Sequence, residues 1–198
     1  MQKGTEVGFK SLITEAEYDR LINQFKGSKF DFQTNHYFDT PRFSLKGYST
    51  SLRVRERDNL EITLKRKKGY SINVNTFPLS QEQFEDMIET GAIPFPEIQN
   101  ALSPLINGQR VFRFLSLATK RMYLPYKNGI LFIDKSDYTF YIDGKTYSGY
   151  FDHEIEYIAQ SYYQGKKEFV EIISELNIKY TKADKKIKRA YSILKRLR

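Results

Sequence analysis

Several short runs of the sequence set charged residues two positions apart. Arg53, Arg55 and Arg57 form one such run, Glu61, Thr63, Lys65 and Lys67 another, and Glu154 and Glu156 a third. Successive side chains of a β-strand point to opposite faces, so residues at this spacing share a face. The intervening positions are apolar: Leu52 and Val54, Leu60, Ile62 and Leu64, Ile155 and Tyr157. Glu6 and Lys10 share a face in the same way, against Val7 and Phe9, and Asp134 alternates with Leu131 and Ile133. One strand of this kind reads as half-buried, with its polar face in water. Several in one sheet read differently, because the polar faces are ionic and segregated, basic on the middle strands and acidic on the first and last. If the sheet closes, these faces line a wet, charged interior while the apolar faces pack beneath helices. A lining of both signs suits a polyanion bridged by metal ions: Arg forks grip phosphate oxygens, and carboxylates hold a cation that holds the same phosphates.

Composition narrows the chemistry. Among 198 residues there is no cysteine, which excludes disulfides, zinc–thiolate sites and thiol catalysis. The two histidines, His36 and His153, cannot build a multi-histidine metal site. A metal would therefore rest on carboxylates, which favours a hard ion such as Mg²⁺ or Mn²⁺. The formal net charge of +8 suits an anionic partner, although for net charge alone a solvated basic face is the favoured reading. Nucleic acid is not the expected partner, since Glu154 and Glu156 would repel a phosphate backbone unless metal intervened. No apolar run approaches the roughly 20 residues that span a bilayer, and Met1 to Lys10 lacks a signal-peptide apolar segment. A cytoplasmic protein without membrane contact is expected.

The elements that must position these residues are legible in turn and cap signals. Thr5 to Leu12 reads as a strand, and Thr14-Glu15-Ala16-Glu17 has the capping-box spacing of a helix start, with Tyr18, Leu21, Ile22 and Phe25 as its apolar stripe. Phe32 to Phe38 is strand-like and stops at Asp39-Thr40-Pro41. Ser51 to Arg57 and Leu60 to Lys67 make a hairpin about Asp58-Asn59, and Ser71 to Phe77 extends the sheet. Ser80 opens a second capped helix ending near Gly91, and a further helical stretch runs to Ile106. Two long strands flank Asn128-Gly129, a strong hairpin signal, and Asp143-Gly144 leads into a last strand through Asp152 to Ala159. The chain from Lys166 reads as helical, with Lys179 to Arg198 largely a solvated basic face. The aromatic residues, 15 Tyr and 15 Phe, read as core. Hairpins with interspersed helices predict an antiparallel α+β fold in one domain over 1–198.

In this order the residues resemble the CYTH proteins, or triphosphate tunnel metalloenzymes, the family of thiamine triphosphatases and class IV adenylyl cyclases. The acidic first strand ExExK appears as Glu6-Val7-Gly8-Phe9-Lys10, followed by Asn35-His36-Tyr37-Phe38-Asp39-Thr40-Pro41 and Leu52-Arg53-Val54-Arg55. Thr63-Leu64-Lys65, Lys120-Arg121, Asp134, Glu154-Ile155-Glu156 and Lys186-Ile187-Lys188-Arg189-Ala190 complete the pattern, most like the bacterial branch. The resemblance implies an eight-stranded antiparallel β-barrel, the triphosphate tunnel, with helices packed outside. It implies Mg²⁺ or Mn²⁺ dependence, a triphosphate small-molecule substrate, and often a homodimer. Carried over position by position, Glu6, Asp134, Glu154 and Glu156 are the expected metal ligands. Lys10, Arg53, Arg55, Lys65, Arg121, Lys186 and Arg189 are the expected phosphate contacts, and Glu6, Lys65, Glu154 and Glu156 the expected catalytic set.

The sequence departs from the family where its second Glu would stand, at Gly8. One carboxylate is lost there, which bears on catalytic rate more than on fold; a bulge or a close backbone approach is the other reading of a strand glycine. The leading expectation is a metal-dependent triphosphatase acting on inorganic tripolyphosphate or on a nucleoside or thiamine triphosphate. The alternatives are a weakened member that binds polyphosphate or nucleotide without efficient turnover, and a cyclase making cyclic AMP, for which no base-recognition motif is visible.

Overall fold

A computed structural model describes residues 7–69 and 71–198. The strands are β1 (Val7–Ile13), β2 (Lys29–Asp39), β3 (Thr50–Glu56), β4 (Leu60–Lys68), β5 (Ser71–Leu79), β6 (Phe112–Tyr126), β7 (Gly129–Ile142) and β8 (Lys145–Ala159). The helices are α1 (Glu15–Gln24), α2 (Ser44–Gly47), α3 (Gln81–Thr90), α4 (Pro96–Ile106), α5 (Tyr162–Glu175) and α6 (Lys186–Leu197). The fold is α+β, as expected, and its eight antiparallel strands are hydrogen-bonded in the order β1-β8-β7-β6-β2-β3-β4-β5.

The chain packs as two compact units, one made of the chain up to Phe32, Thr119–Asp137 and Gly149–Arg198, the other of Gln33–Ala118 and Tyr138–Ser148. In the first, the apolar positions of β7 and β8 (Leu131, Ile133, Ile155 and Tyr157) are fully buried and pack with Leu21 of α1 and Phe169 and Ile172 of α5. In the second, Leu52, Val54 and Ile62 are equally buried beneath Phe84 and Met87 of α3 and Ile98 and Leu102 of α4. Burying these faces fixes the register of each strand, since a slip of one residue would exchange its core and polar sets.

Local signals hold closely. Thr14 and Glu17 form the reciprocal capping box of α1, and Ser80 and Gln83 that of α3, which ends on Gly91 at φ 73°. The Asp39 carboxylate accepts the backbone N–H groups of Thr40, Leu45 and Lys46, turning the chain into the short α2, which no periodic pattern announced. Asp143 and Gly144 both have positive φ, as a two-residue hairpin requires. The Asn128-Gly129 hairpin closes one residue earlier than its signal: Lys127 carries the positive φ, and Gly129 already belongs to β7. A Cβ there would run into the Ile158 carbonyl and the Tyr157 ring, so this glycine serves a close approach and not the turn itself.

Candidate functional site

Within the first unit, β1, β6, β7, β8 and α6 bring one charged cluster together. Because Ile155 and Tyr157 are committed to the core, Glu154 and Glu156 must project from the other face of β8. Lys10 lies directly across from Glu156 in the β1–β8 register. Asp134 projects from β7, Arg121 from β6, and Lys186 and Arg189 from the first turn of α6.

Asp134 is wholly buried. Arg121 grips it with a fork, Nε to Oδ1 at 2.8 Å and Nη2 to Oδ2 at 2.7 Å, and Lys186 Nζ adds a third contact at 2.5 Å. The same Arg121 Nη2 reaches Glu156 Oε2 at 3.2 Å, and the guanidinium lies 4.4 Å from the centre of the Phe132 ring. Arg189 forms a second fork on Asp152, with Nε at 2.7 Å and Nη2 at 3.0 Å, and donates to Glu154 Oε2 at 2.7 Å. Lys10 Nζ stands 3.1 Å from Glu156 Oε1 and 3.5 Å from Glu154 Oε1; Lys186 Nζ stands 3.3 Å from that same Glu154 oxygen. Burial pushes the Asp134 and Glu154 carboxyls up, but their cationic neighbours outweigh it. Arg121 and Lys186 hold Asp134 below the usual carboxylate range, and Lys186, Lys10 and Arg189 do the same for Glu154.

One buried carboxylate oxygen of this arrangement has no hydrogen-bond partner among the described residues. Glu154 is 1% exposed and Arg189 satisfies its Oε2, yet among the described residues Oε1 accepts no hydrogen bond and lies between two ammonium groups. The carboxylates of the cluster, Asp134, Glu154 and Glu156, suit a hard divalent cation in donor chemistry. It is not a preformed cage: among the described residues no three carboxylate, histidine or cysteine groups converge free to hold a metal. Glu6, the remaining expected ligand, lies outside the described residues.

Gly8 precedes this cluster on β1. The β1–β8 register runs unbroken from Val7 to Ile13, so no bulge is present, and Gly8 has no positive φ. A Cβ at this position would meet the Glu156 Oε1 atom at 2.9 Å and Ile158 Cδ1 at 3.0 Å, both ends of side chains and not backbone. Position 8 thus aims at the Glu156 carboxylate, and nothing in the backbone demands glycine.

In the second unit, Arg53 and Arg55 project from β3 on the face opposite the buried Leu52 and Val54. They are paired across β2 with Tyr37 and Asn35, and Arg55 Nε donates to Asn35 Oδ1 at 3.4 Å. Arg53 Nε is buried without a hydrogen-bond partner among the described residues. Lys65 lies on β4 opposite Ser51 and is exposed, while Arg57 falls beyond the end of β3. His36 is buried, with Nδ1 2.8 Å from Ser116 Oγ and Nε2 3.2 Å from Glu56 Oε2, a structural setting.

Seven expected residues are therefore gathered in one unit, namely Lys10, Arg121, Asp134, Glu154, Glu156, Lys186 and Arg189, while Arg53, Arg55 and Lys65 share a polar face in the other. Sequence reasoning missed Asp152. The alternation that singled out Glu154 and Glu156 extends one step back to it.

A family model of the CYTH domain matches residues 4–191. The chain is 28% identical over 196 residues to YjbK of Bacillus subtilis, provisionally named a triphosphatase, with 96% of each chain covered. A solved Bacillus halodurans protein, provisionally named an adenylate cyclase, superimposes with a TM-score of 0.73 at 30% identity, covering 96% of this chain and 98% of its own. The Hippeastrum protein HpAC1, for which a dominant triphosphatase activity is described, shares the fold with a TM-score of 0.63 at 16% identity, over 91% of each chain.

Proposed function

Because the chain belongs to the CYTH family, we propose that it hydrolyses the terminal phosphoryl group of a triphosphate, either inorganic tripolyphosphate or a nucleoside or thiamine triphosphate, with Mg²⁺ or Mn²⁺. The observation that carries this reading is the convergence of Lys10, Arg121 and Lys186 on Asp134, Glu154 and Glu156. Triphosphatase naming in YjbK and the activity described for HpAC1 point the same way.

Phosphoryl transfer needs little covalent work from the protein; positioning and neutralisation of charge carry most of the barrier reduction. Glu154, Glu156 and Asp134, with Glu6, would hold the cation, which when bound polarises the terminal phosphoryl group for in-line attack by water. Arg121 is held by its fork on Asp134 and by Phe132, so its remaining donors are presented in a fixed direction. Lys10 and Lys186 would supply ammonium groups for the phosphate chain. Arg53, Arg55 and Lys65 are proposed as further phosphate contacts, with Lys65 in the catalytic set. Their support is the family pattern and the polar face they share. Arg189 is mostly spent on Asp152, Glu154 and the Asp184 carbonyl, so its role in this reading is to seat α6 beside the cluster.

Phosphate release from tripolyphosphate, ATP and thiamine triphosphate, each with Mg²⁺, Mn²⁺ or EDTA, tests the proposal. Rapid release abolished by EDTA is expected. Thermal stabilisation by tripolyphosphate without release would indicate a weakened member of the family, and cyclic AMP from ATP would indicate a cyclase. Neither release nor stabilisation would overturn the triphosphate reading altogether.

A further inference from the structure

Among the described residues, the charges of the cluster in the first unit balance. Four carboxylates, Asp134, Asp152, Glu154 and Glu156, meet four cationic side chains, Lys10, Arg121, Lys186 and Arg189. The two kinds of cation are held differently. Each arginine makes a two-point fork on one carboxylate, Arg121 on Asp134 and Arg189 on Asp152. Such forks are planar and geometrically fixed. The two lysines are point charges on flexible stems. Both crowd Glu154 Oε1, a buried carboxylate oxygen with no hydrogen-bond partner among the described residues, at 3.3 and 3.5 Å; Lys10 also reaches Glu156 Oε1 at 3.1 Å, and Lys186 donates to Asp134 Oδ2 at 2.5 Å.

We propose that the ammonium groups of Lys10 and Lys186 are tethered stand-ins for the divalent cation, and that ligand binding is an exchange of counter-ions at Glu154 and Glu156. With the chain alone, the ammonium groups neutralise the carboxylates. When a divalent cation takes those oxygens, the two lysines are displaced and become free to pair with phosphate. Metal by itself must compete with two internal cations, and triphosphate by itself must draw the same lysines away from Glu154 and Glu156, leaving those carboxylates with only their arginine contacts. Each ligand removes the obstacle to the other, so metal and triphosphate bind with positive coupling. The arginine forks stay in place and hold the strands and α6 in register meanwhile. The exchange rests on the proposed triphosphatase reading only for the identity of the anion; the competition between lysine and metal stands on the cluster itself.

The test is the affinity of the triphosphate-free protein for Mn²⁺, measured by calorimetry, in the parent chain and in Lys10→Met, Lys186→Met and Lys188→Met. Lys188 is on the same helix but pairs with exposed Asp184 outside the cluster, so it controls for loss of net charge. Lys10→Met and Lys186→Met should each tighten Mn²⁺ binding by about tenfold, as expected when one competing charge leaves a partly screened site; Lys188→Met should change it little. Equal effects in all three variants, or no tightening in the first two, would overturn the proposal. A second measurement needs no variant to fold well: the ¹⁵N signals of the cluster lysine ammonium groups in the parent protein should move on addition of Mg²⁺. Unmoved signals at saturating metal would also overturn it. Tightened Mn²⁺ binding without any tripolyphosphate hydrolysis would leave the exchange standing and remove the triphosphatase.

Discussion

Asp134→Ala should be the most damaging single change in the cluster, and its cost can be worked from the contacts. Asp134 is fully buried and accepts three short charge-assisted hydrogen bonds, two from Arg121 and one from Lys186. The side chains of those two donors are themselves only 20% and 14% exposed, so neither can turn freely to water. Removing one partner of a buried pair leaves an uncompensated charge and typically costs about 3–5 kcal/mol. For a domain of this size each kcal/mol moves Tm by about 2–4 °C, so a fall of roughly 10 °C is expected. Urea unfolding and thermal melts of the metal-free protein measure it directly. Because the cost comes from the stranded cation and not from loss of attraction alone, the double variant Asp134→Leu with Arg121→Met should recover part of the loss. A single-variant loss below about 1 kcal/mol, or strictly additive losses, would refute the account of Asp134 as the keystone of the cluster.

Gly8→Glu places a further carboxylate beside Glu156, where only the ends of Glu156 and Ile158 need to give way. Without metal this adds like-charge repulsion and should lower Tm by a few degrees. With Mn²⁺ the loss should reverse, and Mn²⁺ should bind more tightly than to the parent; melts with and without the ion decide it, and an unchanged response to Mn²⁺ would show that position 8 does not face the cation. Burial lowers the pKa of both His36 and His153, so each stays neutral in the folded chain where the unfolded chain would begin to protonate. The unfolded state therefore binds more protons as pH falls through the ordinary histidine range near 6.5, and stability should decline from there until the folded values are passed. His36→Gln should be less stable at pH 7.5 but show a shallower decline to pH 5.5 in urea midpoints, and an unaltered slope would mean that His36 contributes nothing to it.

How much of this was legible from residues alone depends on how local the cause is. The strands of β3, β4 and β8 were readable because alternation is a property of neighbours, and burial of Leu52, Ile62 and Ile155 leaves the intervening charges no choice of face. The capped starts of α1 and α3 were readable for the same reason, each being fixed within four residues. α2 escaped because four residues hold no periodicity; the Asp39 carboxylate makes it by collecting backbone donors up to seven positions away. The roles of the charged residues are a harder matter, since they depend on partners distant in sequence. Alternation placed Glu154 and Glu156 on one face but could not show that Arg189 spends itself on Asp152, or that two lysines from opposite ends of the chain share one buried oxygen. Those facts divide the basic residues by function in a way that their types do not. Arg121 and Arg189 are held by bidentate geometry and act as fixed parts of the frame, whereas Lys10 and Lys186 are held at single points, Lys10 by charge and Lys186 by charge and one hydrogen bond to Asp134. A group held at a single point is released more readily than a fork by a ligand that supplies a better counter-charge, and in this cluster that property separates the residues that respond to ligand from those that merely position it.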